Sequence, residues 1–301
     1  MKRILITGGD GFLGKSLHEY LSSQFVIISK NKSQLNILDS LKVLNFLKKN
    51  KFDTVIHTAT YAVPLKYSRK NPDKILENNL MMFFNLARCK DYFGELIYFG
   101  SGAEFNRDNW VPKMKEGYFD KFIPTDQYGF SKYIMTKYTY TNERIINLRL
   151  FGIYGKYDDW RYRFIPNSCK NVIFNQPIQI MNNARFDYMY IDDLCRIVKW
   201  FIINKCSEKV YNVCTGTTYE LKTIGEKIIK TSKKDLEIKF GYKINKNQKG
   251  DQSIYKSIGK EYSGDNSLLM NELGNFKFTL IDDSIRDLYN WYQINKKLVF
   301  D

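Results

Sequence analysis

The stretch TGGDGFLG, residues 7–14, decides the fold. It follows a short apolar run that predicts a buried strand, and it leads into KSLHEYLSS, whose apolar residues have helical spacing. Gly8, Gly11 and Gly14 permit a tight turn, a close approach of the backbone to a pyrophosphate, and close packing of the helix on the sheet. The stretch therefore predicts a strand–turn–helix unit whose helix N-terminus binds the phosphates of a dinucleotide.

Strand and helix patterns alternate outward from this unit as far as Tyr157. Such alternation predicts an α/β fold, a Rossmann-type doubly wound parallel sheet with helices on both faces. After Tyr157 the chain becomes aromatic, basic and rich in loops, as in DDWRYRFIPNSCK. We therefore expect an NAD(P)-binding domain over residues 1–157. A smaller mixed α/β domain over residues 158–301 should mainly bind the substrate, with some of its segments returning to the sheet.

The composition of the 301-residue chain is that of a packed globular protein, with 44% hydrophobic and 16% aromatic residues. Its apolar runs are shorter than the roughly 18–20 residues that a membrane span needs. The basic N-terminus meets glycines too early for a signal-peptide core, so we expect a cytoplasmic protein with no membrane partner. The five cysteines are scattered without a CxxC motif and the two histidines lack ligand spacing, so we expect neither disulfides nor a metal.

The net charge of +15 admits three interpretations. It is typical of nucleic-acid binding, of an anionic substrate, or of lysines that are simply solvated on helices. The basic clusters KKNK and KINKNQKG are short and lie near predicted helix ends or loops. This favours solvated lysines, leaves a phosphorylated substrate open, and predicts no nucleic-acid partner.

An acid–base pair is predicted at Tyr128 and Lys132, which lie four residues apart and so share one face of a helix. Tyrosine has a pKa near 10 and is a poor acid–base group at neutral pH. An adjacent ammonium favours the phenolate, and lowering the pKa to about 7 would take ~4 kcal/mol. The apolar strand ELIYFGS ends at Ser101, which offers a hydroxyl to the same cleft. We predict Ser101, Tyr128 and Lys132 as the catalytic residues.

The glycine loop, the serine-ended strand and the Tyr–Lys pair stand in an order that resembles the extended short-chain dehydrogenase/reductase family. More narrowly, the chain is similar over nearly its whole length to NAD(P)-dependent nucleotide-sugar epimerases, dehydratases and reductases, and in type most to 4-keto-6-deoxy-sugar reductases. The resemblance implies a nucleotide-sugar substrate and a homodimer formed through the helices that carry LMMFFNLARC and YIMTKYTY. The cofactor contacts that it implies are Gly8, Gly11, Phe12, Leu13, Ser29, Lys30, Asn36, Ile37, Ala59, Tyr128 and Lys132.

The end of the second strand favours NADP(H) as the cofactor. NAD-binding relatives carry an acid there that accepts hydrogen bonds from the adenosine ribose, whereas VIISKNK has Ser29, Lys30 and Lys32. A carboxylate repels a 2′-phosphate, but a hydroxyl and lysines bind it. NAD(H) stays possible if these lysines are only surface residues. Asn36 and Ile37 match the segment that holds adenine, although many relatives have Asp at the position of Asn36.

Three other polar residues match the family pattern and have structural interpretations. Asn79 and Asn85 stand six apart, like two asparagines of the relatives, and we expect them to tie their helix to the active-site strand. His57 matches the first position of the H-x-A-A strand end beside the cofactor. We expect it to be a hydrogen-bonded strand-end histidine and not a catalyst.

The residues after Ser101 distinguish the reactions within this family. Sugar 4,6-dehydratases typically follow the hydroxyl residue with Asp-Glu, and GDP-fucose synthase has a cysteine at the second of these positions. Gly102 and Ala103 stand there and cannot move a proton, so dehydration is disfavoured and hydride transfer remains. The two small residues also leave room for an enlarged sugar such as a heptose. Glu104 either accepts a sugar hydroxyl or pairs with a lysine.

Arginines of the C-terminal part are predicted to hold the diphosphate, because a guanidinium is its natural partner. Arg161 and Arg163 lie in WRYRFIP. Arg185 resembles the arginine of the family segment R-D-F-x-x-V-D-D, but it stands one residue early, with Phe186 at the matched position. A one-residue shift on a strand reverses the side-chain direction. The predicted substrate-binding residues are Ser101, Gly102, Glu104, Arg161, Arg163 and Arg185.

The expected function is NADPH-dependent reduction of the C4 keto group of a nucleoside-diphosphate 4-keto-6-deoxy sugar for surface polysaccharide. Hydride goes to the keto carbon while Tyr128 protonates the oxygen. The alternative is an NAD-dependent 4-epimerase, which oxidises the sugar, rotates it and reduces the other face. A different class comprises relatives that have lost the tyrosine or lysine and act as redox sensors or RNA-binding scaffolds. The intact Ser101, Tyr128 and Lys132 disfavour that class.

Overall fold

The computed structural model describes residues 1–62, 70–241 and 261–300, and the basic cluster KINKNQKG lies outside the described residues. The strands are β1 (Arg3–Thr7), β2 (Val26–Lys30), β3 (Phe52–His57), β4 (Phe93–Ser101), β5 (Ile145–Leu150), β6 (Gly152–Tyr154), β7 (Ile178–Ile180), β8 (Arg185–Tyr190), β9 (Val210–Val213), β10 (Thr218–Glu220), β11 (Ile238–Phe240) and β12 (Glu261–Tyr262). The helices are α1 (Phe12–Leu21), α2 (Ser40–Asn50), α3 (Ile75–Ala87), α4 (Gln127–Thr139), α5 (Phe164–Ile173), α6 (Ile191–Ile203), α7 (Leu221–Ser232), α8 (Ser267–Leu273) and α9 (Ile281–Phe300).

Six parallel strands form the central sheet in the order β2-β1-β3-β4-β5-β9. Its strands are apolar on both faces: Ile4 and Ile6 of β1 pack into one buried cluster, and Leu5 packs into another on the opposite face. Helices α1 and α6 cover the first face, and α2 and α3 cover the second. Strands that are buried on both faces are typical of a doubly wound Rossmann-type sheet. The predicted fold class is confirmed.

The chain after residue 157 contributes to more than one layer. Strand β9 joins the central sheet beside β5, whereas β8 pairs with β6, β10 and β12 in a small separate sheet, and β7 pairs with β11. Helices α5, α7 and α9 pack around these shorter strands. The domain boundary at residue 157 stays a prediction. Within the described ranges, no helix is both long enough and apolar enough to cross a membrane.

The carboxyl ends of the parallel strands bring the predicted site residues to one edge of the sheet. The glycine loop follows β1, Ser29 and Lys30 end β2, His57 ends β3, and Ser101 ends β4. Because β1 lies between β2 and β3, the strand order reverses there. Ligands of open α/β sheets bind outside the carboxyl ends at such a switch point.

Candidate active site

The glycine loop is shaped for a ligand that comes close to its backbone. Gly8 has φ +77°, and a Cβ there would lie 2.7 Å from the amide nitrogen of Ala59. A Cβ on Gly14 would lie 2.3 Å from the Gly8 carbonyl oxygen, so α1 packs too tightly on the loop for a side chain. Steric exclusion of side chains is therefore the physical reason for these two glycines.

Helix α1 begins with free amides. Its N-cap residue, Gly11, provides no side-chain cap, so the N–H groups of the first turn, beginning with Phe12 and Leu13, are available to an anion. Gly11 is exposed, and Phe12 and Leu13 are half-buried. A loop without room for side chains and an uncapped helix N-terminus together fit the pyrophosphate of a dinucleotide.

The end of β2 lies directly against this loop. A Cβ on Gly9 would lie 2.0 Å from Ser29 Oγ, and the Gly9 N–H donates to the Lys30 carbonyl at 3.0 Å. The Lys30 ammonium lies 5.9 Å from the centre of the Phe46 ring. Ser29 and Lys30 are both half-buried, so a hydroxyl and an ammonium border the loop on the side where β2 ends.

Asn79 and Asn85 hold loops beside the cofactor region. The Asn79 amide accepts from the Tyr61 N–H at 2.8 Å and donates to the Tyr61 carbonyl at 3.0 Å. Asn85 donates to the carbonyl of Ile37 at 3.0 Å, which fixes the buried Ile37 and the half-buried Asn36 before α2. The tie therefore runs from α3 to two loops, and not to the active-site strand as we expected.

His57 ends β3 as a buried, hydrogen-bonded residue. Its Nδ1 lies 2.9 Å from Thr7 Oγ1. Burial lowers the pKa of His57 to about 3, and the nearby Lys132 is a smaller cause. The ring is therefore neutral at working pH, and its interpretation as a hydrogen-bonded strand-end histidine is confirmed.

Ser101, Tyr128 and Lys132 meet at the end of β4. Asp126 caps the N-terminus of α4, which places Tyr128 and Lys132 on the first two turns of that helix. Ser101 ends β4 and lies close enough to Tyr128 to lower the pKa of its phenol. Lys132 is buried, and its ammonium lies 5.8 Å from the centre of the Tyr128 ring and donates to the Phe99 carbonyl at 2.8 Å. The three predicted catalytic side chains thus form one cluster.

The electrostatics of this cluster differ from our expectation. Burial raises the pKa of Tyr128 above its ordinary value, and the Arg107 guanidinium is the largest opposing effect, followed by the Ser101 hydroxyl. Burial also lowers the pKa of Lys132 to about 8, against a smaller opposing effect of Glu104. The prediction that Lys132 lowers the pKa of Tyr128 is therefore wrong, because burial outweighs the nearby charges. Tyr128 is a protonated phenol at neutral pH and can donate a proton.

Glu104 is sealed beneath the strand end and does not face a sugar. One carboxylate oxygen accepts from the Ser101 N–H at 2.9 Å, and the other accepts from Thr136 Oγ1 and from Arg149 Nε, both at 2.8 Å. The side chain is fully buried. The prediction that Glu104 accepts a sugar hydroxyl is wrong, because both oxygens are occupied and inaccessible. Its alternative, an ion pair, is present with Arg149 in place of a lysine.

The space beside Gly102 is filled. A Cβ there would lie 2.6 Å from a ring carbon and 2.7 Å from the hydroxyl of Tyr262, and 2.9 Å from the Phe151 ring. The Trp110 indole N–H donates to the Gly102 carbonyl at 3.0 Å, and its ring stacks on Tyr262 at 4.2 Å. Gly102 and Ala103 are buried. The expectations that Gly102 contacts the substrate and that the two small residues leave room for a larger sugar are therefore wrong.

Tyr262 and Arg107 are site residues that the sequence interpretation missed. Tyr262 belongs to β12, far along the chain from Ser101, yet its ring and hydroxyl lie directly against Gly102, the residue after Ser101. Arg107 is mostly buried and lies 3.4 Å from Asp126, the cap of α4. Arg107 lies in the sequence between Ser101 and Tyr128, and this position was an available signal for it. No spacing in the sequence relates Tyr262 to the catalytic residues.

Of the three predicted diphosphate arginines, Arg163 lies near the Tyr128 phenol. It opposes the effect of burial on the pKa of both Tyr128 and Tyr262. Its side chain is 44% exposed, so it can also contact a ligand.

In the part of the chain that the structure describes, no group of three His, Cys, Asp or Glu side chains could hold a metal ion.

The other two arginines are engaged elsewhere. Arg161 forms a two-point ion pair with Asp159, with N–O distances of 2.7 and 2.5 Å. Arg185 begins β8 and pairs with carboxylates of neighbouring strands. The adjacent Phe186 ring lies 6.0 Å from the Tyr262 ring, so Phe186 faces the site and Arg185 points to the opposite face of the strand. Diphosphate binding by Arg161 and Arg185 stays a prediction.

The geometry defines the class of protein. A Rossmann-type sheet with an uncapped glycine-loop helix and a Ser–Tyr–Lys cluster at its carboxyl edge is typical of dinucleotide-dependent oxidoreductases. Residues 4–214 match the model of the NAD dependent epimerase/dehydratase family. The chain belongs to this family and is an NAD(P)-dependent oxidoreductase.

Relatives of the chain represent three reactions. It is 29% identical over 277 residues to dTDP-D-glucose 4,6-dehydratase from Dictyostelium discoideum. The aligned region covers 77% of this chain and 62% of the dehydratase. It is 29% identical over 285 residues to dTDP-4-dehydro-6-deoxyglucose reductase from Escherichia coli. The aligned region covers 82% of this chain and 87% of the reductase. It shares its fold with UDP-glucose 4-epimerase from Thermotoga maritima, with a TM-score of 0.81 and 18% identity over 98% of this chain and 99% of that one.

Proposed function

We propose that the protein uses NADPH to reduce the C4 keto group of a nucleoside-diphosphate 4-keto-6-deoxy sugar in surface polysaccharide biosynthesis. The observation that carries the proposal is that the Ser101–Tyr128–Lys132 cluster is followed by two residues, Gly102 and Ala103, that cannot move a proton. At the positions that resemble the acid and base of dehydratases, Gly102 lies under an aromatic ring and Ala103 is buried. The cluster can orient one carbonyl and donate one proton, which is what a reduction requires.

The side chains of the cluster have distinct tasks in this reaction. When bound, the reduced nicotinamide supplies hydride to the keto carbon. Tyr128 donates its phenolic proton to the carbonyl oxygen as negative charge develops there, and Ser101 donates a hydrogen bond to the same oxygen. Lys132 has a pKa of about 8, so its ammonium persists at neutral pH and stabilises the phenolate that Tyr128 becomes.

The cofactor preference rests on the end of β2, where Ser29 and Lys30 border the glycine loop and no acid is present to repel a 2′-phosphate. NADPH suits an enzyme that exchanges its cofactor at each turnover. By resemblance to the family, we also propose a homodimer formed through α3 and α4, a cytoplasmic location, and substrate binding mainly by residues 158–301. In that part, Arg163 is the arginine best placed for the diphosphate.

A panel of substrates tests the proposal. The 4-keto-6-deoxy sugars linked to dTDP, GDP, CDP and UDP are presented with NADPH or NADH, and the absorbance of the reduced nicotinamide is followed. We expect one NADPH oxidised per sugar reduced, with a new C4 hydroxyl seen by NMR. Isomerisation of a 4-hydroxy sugar without net cofactor consumption would instead establish the epimerase. No turnover together with steeply salt-dependent RNA binding would establish the non-enzymatic class.

A further inference from the structure

Arg107 is a mostly buried cation near the start of α4 that the proposed mechanism does not use. Its guanidinium lies 5.5 Å from the centre of the Trp110 ring. The Arg107 Nε–H is buried and has no hydrogen-bond partner among the described residues. Asp126 Oδ2 lies 3.4 Å from Nε, which is beyond the roughly 2.7–3.2 Å of an N–H···O bond but within reach of an ion pair. Because buried polar groups normally have a partner, the placement of this guanidinium needs an explanation.

The partner of Arg107 fixes the first turn of the helix that carries Tyr128. Asp126 is the N-cap residue of α4, and its Oδ1 accepts from the Gly129 N–H at 2.8 Å. Its side chain is mostly buried. Since Tyr128 lies between Asp126 and Gly129 in the sequence, the place of this carboxylate determines where the Tyr128 backbone lies.

The turn that follows Ser101 packs directly on the same first turn of α4. A Cβ on Gly129 would lie 2.7 Å from the Ala103 carbonyl oxygen and 2.8 Å from Asp126 Oδ2. The two segments therefore meet without room for a side chain between them, and the Asp126 carboxylate lies at this contact. A small shift of α4 along the contact would change the distance between the Tyr128 phenol and Ser101.

Arg107 is anchored on the strand side of this contact. It stands six residues after Ser101 and begins a short turn. The side chain of Asn106, directly before it, accepts from the Asp108 N–H at 3.1 Å and so fixes that turn. The ion pair with Asp126 therefore joins the segment that follows β4 to the start of α4.

We infer that Arg107 is a positioning residue whose ion pair with Asp126 holds the Tyr128 phenol in line with Ser101 for proton donation to the keto oxygen. The inference rests on the proposed reduction and extends it to a residue outside the Ser–Tyr–Lys cluster. A misplacement of about 1 Å can cost about 10²-fold in rate. An ion pair that fixes the start of α4 can therefore influence the chemical step without contact with the sugar.

A double-mutant cycle on kcat tests the inference. Arg107→Met removes the cation, whereas Asp126→Asn removes the negative charge but keeps a side-chain acceptor for the N-terminus of α4. With NADPH and the panel sugar that is turned over fastest, we expect each variant to lower kcat about tenfold and to change KM less than about twofold. The double variant should lose little more than either single variant, because one ion pair accounts for both losses.

Arg196→Met is the matched control. Arg196 pairs with Asp193, and its guanidinium lies 4.4 Å from the centre of the Phe276 ring, so it also combines an ion pair with an aromatic contact. It should keep the wild-type kcat. An unchanged kcat in Arg107→Met, a rise in KM alone, additive losses in the double variant, or an equal loss in Arg196→Met would overturn the inference. Full activity of Tyr128→Phe would instead overturn the proposed function, so the two failures are distinguishable.

A spectroscopic measurement checks the positioning without any sugar. The protein is labelled with fluorotyrosine, and the fluorine NMR signal of Tyr128 is identified by its absence from Tyr128→Phe. The signal should move in Arg107→Met and in Asp126→Asn, because the phenol changes its surroundings, and it should stay in place in Arg196→Met. A Tyr128 signal that is unchanged in the first two variants would show that the ion pair does not hold the phenol, and the inference would be overturned.

Discussion

Two polar clusters lie close together at the end of β4, and their surroundings are opposite. We call Glu104 with Arg149 the sealed cluster and Ser101 with Tyr128 and Lys132 the catalytic cluster. The sealed cluster is fully buried, whereas Ser101 and Tyr128 are only half-buried and keep hydrogen-bonding capacity toward the cleft. One turn joins the two clusters, because the Ser101 N–H donates to the Glu104 carboxylate at 2.9 Å.

The difference shows that surroundings, more than residue type, determine what a polar side chain does here. The Arg149 guanidinium lies over the Phe105 ring at 4.4 Å, and removal of either partner of its ion pair leaves a charge buried without compensation. In the catalytic cluster, burial works against the charge of Lys132 and lowers its pKa to about 8. We therefore expect the sealed cluster to carry stability and the catalytic cluster to carry activity at some cost in stability.

Lys132→Met should have the largest effect on activity and should not lower stability. We expect kcat/KM for the reduction to fall about 10³-fold, because the phenolate left on Tyr128 loses its cation. The free energy of unfolding at pH 7 should rise by about 1–2 kcal/mol, since relief of the buried charge exceeds the lost hydrogen bond to Phe99. NADPH oxidation and urea unfolding measure both quantities. Unfolding at a lower urea concentration than the wild type would contradict the comparison.

Glu104→Gln should lower the stability of the protein, in contrast to Lys132→Met. It leaves Arg149 buried without a counter-charge, so we expect the free energy of unfolding to fall by about 3–5 kcal/mol. Glu77→Gln is the matched control, because Glu77 pairs with Lys74 on the surface with about half of each side chain exposed. It should cost less than about 1 kcal/mol. Equal losses in the two variants, measured by urea unfolding, would show that the sealed cluster contributes no more to stability than a surface ion pair.

The pH dependence separates the two roles of Lys132 within one protein. The folded state loses the Lys132 proton at about pH 8, whereas an ordinary lysine keeps it to 10.5. In this window the unfolded state binds more protons, so the contribution of Lys132 to the free energy of unfolding rises with pH, by up to about 3 kcal/mol. Over the same window kcat/KM should fall, because the ammonium is lost.

Subtraction isolates this effect from other titrating groups. The difference in unfolding free energy between the wild type and Lys132→Met should change with pH above about 8 and be flat below it. A difference that stays constant across the window would mean that burial does not depress the pKa of Lys132.

Lys30→Met should have the smallest effect. It changes the end of β2 beside the glycine loop, which belongs to neither cluster. If Lys30 binds the 2′-phosphate, KM for NADPH should rise about tenfold at low salt, while KM for NADH stays unchanged. Lys48→Met, at the other end of α2 from the loop, is the control and should change neither value. A parallel rise for NADPH and NADH would remove the basis for the proposed cofactor preference.

Local patterns predicted the fold and the juxtaposition of Tyr128 and Lys132, because their geometry is local. The turn of TGGDGFLG is built within eight residues, and Tyr128 and Lys132 share a helix face whatever surrounds them. The orientation of Glu104 could not be predicted, since it depends on Arg149 from a neighbouring strand. The pKa of Lys132 could not be predicted from the sequence either, because it depends on burial in the folded protein.

Tyr262 illustrates the same limit on the substrate side. It reaches Gly102 only because β12 pairs with β8, in a register that sets Tyr262 opposite Phe186. The sequence shows that Gly102 has no side chain, but the Tyr262 ring that fills this space comes from a distant segment. The glycine therefore indicated that another group packs closely against it, without identifying Tyr262.

The central claim is that the Tyr128 phenol delivers the proton during hydride transfer, and Tyr128→Phe tests it most directly. The variant is loaded with NADPH, mixed with the keto sugar that the wild type reduces fastest, and followed through a single turnover. We predict a loss of about 10³-fold in the rate of NADPH oxidation, with the affinity for NADPH unchanged by fluorescence titration. Oxidation of NADPH at the wild-type rate would contradict the claim.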